Sequence, residues 1–190
     1  NNYIKVYTPT NTTTECNLSQ RHAGKWDTGK YRLEVPTGMA LIINNYSRID
    51  GLQIGINGAA GAGEVKGIRI PSGIIGQRIS NNIIRDTGTG TGQRLGILWD
   101  NASASADGYF WNNIIYNFIN GTYDNGGMRL RTDSGSRVYN NTVYNSRTGY
   151  WTNITNPVLK NNIAQGNASS SYAGTWNAAS GYNVSGDASY

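Results

Sequence analysis

The chain carries one cysteine, one histidine and four prolines in 190 residues. Cys16 alone closes no internal disulfide, so it is either a small buried hydrophobe or a link to another chain. With His22 alone, a zinc site or a Ser–His–Asp triad would have to be assembled around a single imidazole. Charged residues make up only 14% of the chain, and its eleven acids form no adjacent pair and no cluster. Asp50, Asp86, Asp100, Asp107, Asp124 and Asp133 stand singly, mostly beside Gly, Ser, Thr or Asn, where Asp is an ordinary turn residue. A glycoside hydrolase needs two carboxylates set apart as acid and base, and a polysaccharide lyase needs a base helped by a cation site of several carboxylates. The sequence offers neither, so no catalytic residue, no metal ligand and no cofactor is expected.

Other absences narrow the partners. The net charge of +5 is carried by basic residues placed one at a time, without the runs that mark nucleic-acid binding. No stretch approaches the roughly 18 consecutive apolar residues of a membrane-spanning helix, which argues against membrane insertion. Apolar spacing of three and four is missing over any useful length, so helices are not expected. The Gly88-Thr89-Gly90-Thr91-Gly92 stretch opens no helix and is therefore not a phosphate loop.

What the chain does have is asparagine in pairs: Asn81-Asn82, Asn112-Asn113, Asn140-Asn141 and Asn161-Asn162. The pairs start 31, 28 and 21 residues apart, the scale of a structural repeat. Each has an apolar residue two places before it (Ile79, Phe110, Val138, Leu159) and an apolar or small one two places after it (Ile84, Ile115, Val143, Ala164). The frame extends upstream as Ile49-Asp50-Gly51-Leu52-Gln53-Ile54 and downstream as Ala179-Ser180-Gly181-Tyr182-Asn183-Val184, making six copies.

Within a copy the two apolar positions are five apart, an odd number, so a straight strand would point them to opposite faces. Both can face inward if the backbone bends between them, and Asn tolerates the left-handed conformation a sharp corner needs. A second run follows each corner after a loop, as in Gly67-Ile68-Arg69-Ile70, Leu95-Gly96-Ile97-Leu98-Trp99, Gly127-Met128-Arg129-Leu130 and Gly149-Tyr150-Trp151-Thr152. One repeat therefore reads strand, corner, strand, loop, strand, loop. Such a unit cannot bury its own apolar face, so copies must stack in parallel, with corner Asn side chains bonding to one another and to the backbone. The pattern resembles the right-handed parallel β-helix repeat proteins of the pectate-lyase-like group over about residues 38 to 185. The resemblance implies an all-β, right-handed, single-stranded parallel β-helix (a solenoid) of about six coils, roughly 30 Å long at about 4.8 Å per coil. It does not imply one activity, since that architecture serves lyases, hydrolases, phage spikes, adhesins and spacers.

Residues 1–37 do not carry the repeat and read as an N-terminal β cap, leaving 38–190 as the β-helix. The cap contains the β-like runs Tyr3-Ile4-Lys5-Val6-Tyr7 and Tyr31-Arg32-Leu33-Glu34-Val35. The chain opens on Asn1-Asn2-Tyr3, which reads as a processed protein or a piece of a longer one. Residues 166–190 thin into Ala, Ser and Gly without a covering element, so the last coil is expected to meet a further domain or a second copy. Stacking of first coil on last would give a head-to-tail filament. The Gly-, Asn- and Ser/Thr-rich composition suits an extracellular or cell-surface protein. Of nine N-glycosylation sequons, Asn101, Asn120, Asn153 and Asn167 lie in predicted loops, while Asn140 belongs to a corner pair and reads as too buried to modify.

In the strand before each corner, alternation places Arg48 and Asp50, Arg78 and Ser80, Tyr109 and Trp111, Arg137 and Tyr139, and Val158 and Lys160 outside. Arg85, Tyr116 and Tyr144 form a further column past the corner. Arg forks bind carboxylates in two-point geometry and aromatic rings offer flat apolar surface to sugars, so Arg48, Arg78, Trp111, Arg137 and Tyr139 are the candidate glycan-binding residues. Stacked Arg and aromatic side chains can equally serve only to stabilise the sheet surface. The function expected from the sequence is an extracellular, non-catalytic structural or adhesive module, able to stack on itself. The alternative is a polysaccharide-active protein, a lyase, a hydrolase or a phage-spike-type domain, that uses the outer face on an acidic polysaccharide.

Overall fold

The structure, a computed structural model, describes residues 2–58, 63–102, 107–121, 125–132, 135–153 and 157–187, with the backbone alone at 101, 102 and 132. Among the described residues there is no helix, and the strands follow one another in short runs. The chain begins with β1 (Ile4–Tyr7), β2 (Leu33–Val35) and β3 (Met39–Ile42), then β4 (Ser47–Asp50), β5 (Gln53–Ile56) and β6 (Val65–Ile70). It continues through β7 (Gln77–Ser80), β8 (Ile83–Asp86), β9 (Arg94–Ala102), β10 (Gly108–Trp111), β11 (Ile114–Tyr116) and β12 (Gly126–Thr132). The last strands are β13 (Arg137–Tyr139), β14 (Thr142–Tyr144), β15 (Thr148–Thr152), β16 (Val158–Lys160), β17 (Ile163–Gln165), β18 (Ser170–Ala173) and β19 (Val184–Ser185).

These strands form three sheets that the chain visits in rotation. Sheet A is β1-β4-β7-β10-β13-β16, sheet B is β2-β5-β8-β11-β14-β17-β19 and sheet C is β3-β6-β9-β12-β15-β18. Every pairing is parallel, and each strand pairs with its equivalent one repeat away. The architecture is a parallel β-solenoid, as the repeat requires. Residues 1–37 contribute the end strands β1 and β2 of sheets A and B.

The registers set the core in columns. Ile49, Ile79, Phe110, Val138 and Leu159 stack from sheet A, and Ile54, Ile84, Ile115, Val143 and Ala164 from sheet B. Sheet C adds Ile68, Ile97, Met128, Tyr150 and Tyr172, the two tyrosine rings lying parallel with centroids 5.1 Å apart. All of these side chains are buried in one continuous cluster.

The corner between sheets A and B divides its work between two residues. The first is left-handed in every repeat: Gly51 (φ 77°), Asn81 (55°), Asn112 (56°), Asn140 (55°), Asn161 (56°) and Tyr182 (59°). The second turns inward, so that Asn82, Asn113, Asn141 and Asn162 are all fully buried. Their side chains build a continuous ladder. The N–H of Leu52 donates to Asn82 Oδ1 at 2.9 Å, that of Asn82 to Asn113 Oδ1 at 3.1 Å and that of Asn113 to Asn141 Oδ1 at 3.0 Å. Asn141 and Asn162 continue it to Asn162 and Asn183 Oδ1, both at 2.9 Å. Each Nδ2 donates to a main-chain carbonyl of the preceding repeat (Ile49, Ile79, Phe110, Val138 and Leu159 in turn). The same nitrogens of Asn82, Asn113, Asn141 and Asn162 also donate to the next amide oxygen.

The last repeat differs from the sequence pattern by one residue. The pattern aligns Gly181 with the left-handed position and Val184 with the inward apolar one. Gly181 instead bridges to Lys160, Val184 pairs with Ile163 and faces outward, and Tyr182 takes the left-handed conformation. The slip brings Asn183 into the ladder, where it satisfies both donors of Asn162. A buried amide without an acceptor costs more than an exposed valine, so the polar column sets the register and the apolar pattern yields.

Two further features recur in several of the turns. After sheet B the chain turns through left-handed Asn117 (φ 69°), Asn145 (49°) and Gly166 (65°), with Asn145 Nδ2 donating to Asn117 Oδ1 at 2.8 Å. Sheet C approaches sheet B along Gly67, Gly96, Gly127 and Gly149. A Cβ on Gly96 would lie 2.4 Å from Ile115 Cγ2 and 2.6 Å from the Gly127 carbonyl oxygen, so no side chain fits there.

The two corner residues should respond unequally to mutation. Asn141→Ala removes the acceptor of both Asn113 donors and the donor to the Phe110 carbonyl. At about 1–3 kcal/mol for each orphaned buried group, it should lower stability by roughly 3–5 kcal/mol in urea unfolding. Asn140→Gly, at a left-handed position, should change stability by less than about 1 kcal/mol. Equal losses would show that the division of labour is wrong.

Candidate functional site

Outward-facing residues of a parallel stack also form columns, and sheet A has two next to the corner. One runs Lys5, Arg48, Arg78, Tyr109, Arg137, Val158, and the other Tyr7, Asp50, Ser80, Trp111, Tyr139, Lys160. Neighbouring strands are about 4.8 Å apart, so three cations stand in direct succession at Lys5, Arg48 and Arg78, an arrangement that opposes folding. Among the described residues, none of Lys5, Arg48, Arg78 and Arg137 is in an ion pair. Aromatic rings take the place of carboxylates. Arg48 lies 3.7 Å from the centroid of Tyr3, Lys5 4.0 Å from that of Tyr7, and Arg78 and Arg137 5.5 and 5.0 Å from that of Tyr109. Arg137 Nη1 also donates to Tyr109 Oη at 2.9 Å.

The face is shallow and grooved. Arg78, Tyr109, Trp111, Arg137 and Tyr139 surround a depression of about 270 Å³. A second, also of about 270 Å³, lies between Lys5, Arg48, Asp50, Arg78 and Trp111. All five residues singled out from the sequence, Arg48, Arg78, Trp111, Arg137 and Tyr139, therefore share one surface. The further column of Arg85, Tyr116 and Tyr144 belongs to sheet B, past the corner. Arg85 is drawn there onto Trp26, 3.7 Å from its ring centroid, and reaches Glu34 at 3.4 Å.

Asp50 on this face, Asp86 in sheet B and Asp100 in sheet C are engaged in holding the fold, while Asp107 is exposed. Asp50 accepts from Arg21 Nη2 at 2.5 Å, Ser80 Oγ at 2.9 Å and Asn81 Nδ2 at 2.7 Å. Asp86 is fully buried against Arg94, with Nε at 2.5 Å and Nη2 at 2.6 Å, and Asp100 pairs with Arg69 at 2.7 Å. Stacking thus brings Asp86 and Asp100 to arginines rather than to another carboxylate. Asp124 and Asp133 lie outside the described residues. Among the described residues no group of three or more His, Cys, Asp and Glu could hold a metal ion. His22 Nε2 donates to the Asn81 carbonyl at 2.8 Å while Nδ1 accepts from the Gly24 N–H at 3.2 Å. Burial lowers its pKa, which favours this neutral ring.

The sequons divide by geometry. Asn153 is exposed; Asn120 donates from Nδ2 to the Gly88 carbonyl at 2.8 Å; Asn167 has its Nδ2 buried. The side chain of Asn101 lies outside the described residues. Asn140, read from the sequence as too buried to modify, is exposed, because its partner Asn141 takes the inward position. The sequence reading missed Tyr3, Tyr46 and Asp107, which line the start of sheet A with Arg48 and Arg78. A Tyr two places before each of the first two cations, Tyr3 before Lys5 and Tyr46 before Arg48, was the available signal.

A scan against protein-family models and searches of curated proteins and of solved structures found no match to this chain.

Asp50 should make stability fall in acid. Burial pushes its carboxyl up, but hydrogen bonds from Arg21, Asn81 and Ser80, with the Arg21 charge, outweigh burial and hold it below the ordinary 3.8. A depressed folded-state pKa stabilises in full above 3.8, and the contribution is lost as pH falls through the folded value. Asp50→Asn should therefore unfold at lower temperature at pH 7 and lose part of the wild-type dependence of Tm on pH below about 4. Parallel Tm–pH curves for the two proteins would contradict this role.

Proposed function

We propose that the chain is an extracellular, non-catalytic structural and adhesive module. In this reading it is a right-handed, single-stranded parallel β-helix of six coils capped by residues 1–37. Its outer sheet-A face is where it adheres, to an acidic polysaccharide laid along the helix axis. The observation that carries the reading is the column of cations in register on sheet A, set against tyrosine rings and in no ion pair among the described residues. Like charges in direct succession cost stability, and a polyanion would convert that cost into binding free energy. Guanidinium forks suit sugar carboxylates, and Trp111, Tyr109 and Tyr139 offer ring faces to pyranoses. The non-catalytic part is supported by the structural engagement of Asp50, Asp86 and Asp100.

Self-stacking has its own support at the first turn. Val6, Tyr7, Leu33, Leu41 and Leu52 line a mainly apolar cavity of about 350 Å³ there, and Ile4 beside it is 60% exposed. The edges of the end strands β1, β2 and β3 can receive another parallel coil.

Binding to polygalacturonate and alginate, with dextran as the neutral control, tests adhesion. The acidic polymers should bind and weaken as salt is raised. Trp111→Ala and Arg137→Ala should each weaken binding about 5- to 30-fold, or roughly 1–2 kcal/mol. Unchanged binding in both variants would discard the stripe, and new reducing ends in the polymer would overturn the non-catalytic assignment. Filaments with an axial repeat near 30 Å in electron micrographs would be expected of stacked coils, and a monomer at all concentrations in sedimentation would refute stacking.

A further inference from the structure

At the start of sheet A the outer face deepens into a notch of about 180 Å³, lined by Asn2, Tyr3, Tyr46, Arg48, Gly76, Arg78, Asp107 and Tyr109. Gly76 creates it. In the stacked column that precedes the strands, Tyr46 and Asp107 flank a residue without a side chain, tied by hydrogen bonds from Tyr46 N–H to the Ile75 carbonyl at 2.9 Å and from Gly76 N–H to the Asp107 carbonyl at 3.0 Å. The Tyr46 ring leans across this gap. A Cβ on Gly76 would lie 2.5 Å from Tyr46 Cδ1, so only glycine permits the ring's position.

Tyr46 is also left-handed, with φ 55°, a conformation that costs a non-glycine residue about 1–2 kcal/mol. The residue is nonetheless 39% exposed, so core packing alone does not repay the strain. Strain held in place by the surroundings is a feature of ligand clamps.

The lining chemistry selects a ligand. Arg48 and Arg78 are in no ion pair among the described residues, and their guanidinium forks match a carboxylate. Asp107 is exposed and supplies acceptors for hydroxyl donors, while it would repel a bare anion. Tyr46 and Tyr109 offer aromatic surface to a ring. Two cations and one carboxylate leave a lining charge of +1, matched to a monoanion.

We propose that the notch over Gly76 is a subsite for a single uronic-acid residue, its carboxylate held by Arg48 and Arg78, its ring against Tyr46 and Tyr109, and its hydroxyls donating to Asp107. This rests on sheet A being the glycan-binding face, and it adds that one sugar of the polymer is read individually while the shallower face follows the backbone. A neutral hexose lacks the group for the guanidiniums, and an inorganic anion lacks the hydroxyls and the ring.

The test titrates the chain with D-galacturonic acid, D-galactose and sodium sulfate, followed by protein NMR shifts, alongside polygalacturonate binding. Galacturonate should bind with shifts centred on the Gly76 amide, and galactose and sulfate should bind at least about tenfold more weakly. Tyr46→Gly, which keeps a residue suited to the left-handed conformation, should weaken galacturonate about tenfold. Asp107→Asn, which takes the lining charge from +1 to +2 and removes the repulsion of a bare anion, should cut the preference for galacturonate over sulfate about tenfold. Trp111→Ala, outside the notch, should change galacturonate affinity less than about twofold while weakening the polymer. Should Tyr46→Gly fail to fold, Asp107→Asn decides alone. If galacturonate binding is absent or matched by sulfate, or if its affinity in Tyr46→Gly and its preference over sulfate in Asp107→Asn are both unchanged, while polymer binding persists, the notch proposal is overturned and the sheet-A reading stands. If neither polymer nor monosaccharide binds, the sheet-A reading itself falls.

Discussion

The buried asparagine ladder is the constraint from which the rest of the structure follows. A chain that turns through a sharp corner between two strands leaves main-chain polar groups on the inner side of the bend, where water cannot reach them. Here each inward Asn supplies an acceptor to the main-chain N–H of the repeat before it and a donor to a carbonyl of that same repeat. The interaction cannot be satisfied within one repeat. It therefore couples every repeat to its neighbour and fixes the register along sheets A and B together. The final repeat shows its authority: the chain accepts a left-handed Tyr182 and an exposed Val184 so that Asn183 can take the ladder position.

The same register that satisfies the ladder creates the charge problem on sheet A. Once Ile49, Ile79 and Phe110 are stacked inside, Arg48, Arg78 and Tyr109 must be stacked outside, since alternation leaves them no other direction. Elsewhere the chain answers cations with carboxylates, as at Asp50–Arg21, Asp86–Arg94 and Asp100–Arg69. In the Lys5-to-Arg137 column it answers them with tyrosines, as Trp151 answers Arg129 and Arg131 on sheet C. A ring attracts a guanidinium without neutralising it, so the positive field of the face survives.

Much of this architecture was legible in the sequence. The corner frame could be read because a polar pair between apolar positions five apart fits a bent strand and neither a straight strand nor a helix. The outward columns followed from alternation alone, which is why Arg48, Arg78, Trp111, Arg137 and Tyr139 were found. What escaped lies where identity changes from repeat to repeat. The corner after sheet B uses Asn117, Asn145 and then Gly166, so no residue type marks it throughout. Ion pairs such as Asp86–Arg94 join the end of β8 to the start of β9, and their approach depends on the shape of the loop between. The notch at Gly76 escaped because two of its lining residues, Tyr46 and Asp107, lie 61 positions apart and are brought together only by stacking.

The position of the sheet-A face beside the tight corner matters for what can reach it. Between β7 and β8 the corner uses only Asn81 and Asn82, so no loop can rise there to overhang the outer surface. The connections into sheet A are longer, as in residues 71–76, which lead from β6 into β7. The corner flank has no loop of its own, with Arg21 on Asp50 and His22 on the Asn81 carbonyl reaching it at its start, and the other is where walls can form. A polymer lying along the axis would meet the repeating columns on the open side. Any group that must be distinguished would be met on the side where Tyr46, Gly76 and Asp107 break the repeat. Regularity gives the face its length, and the departures from regularity give it selectivity.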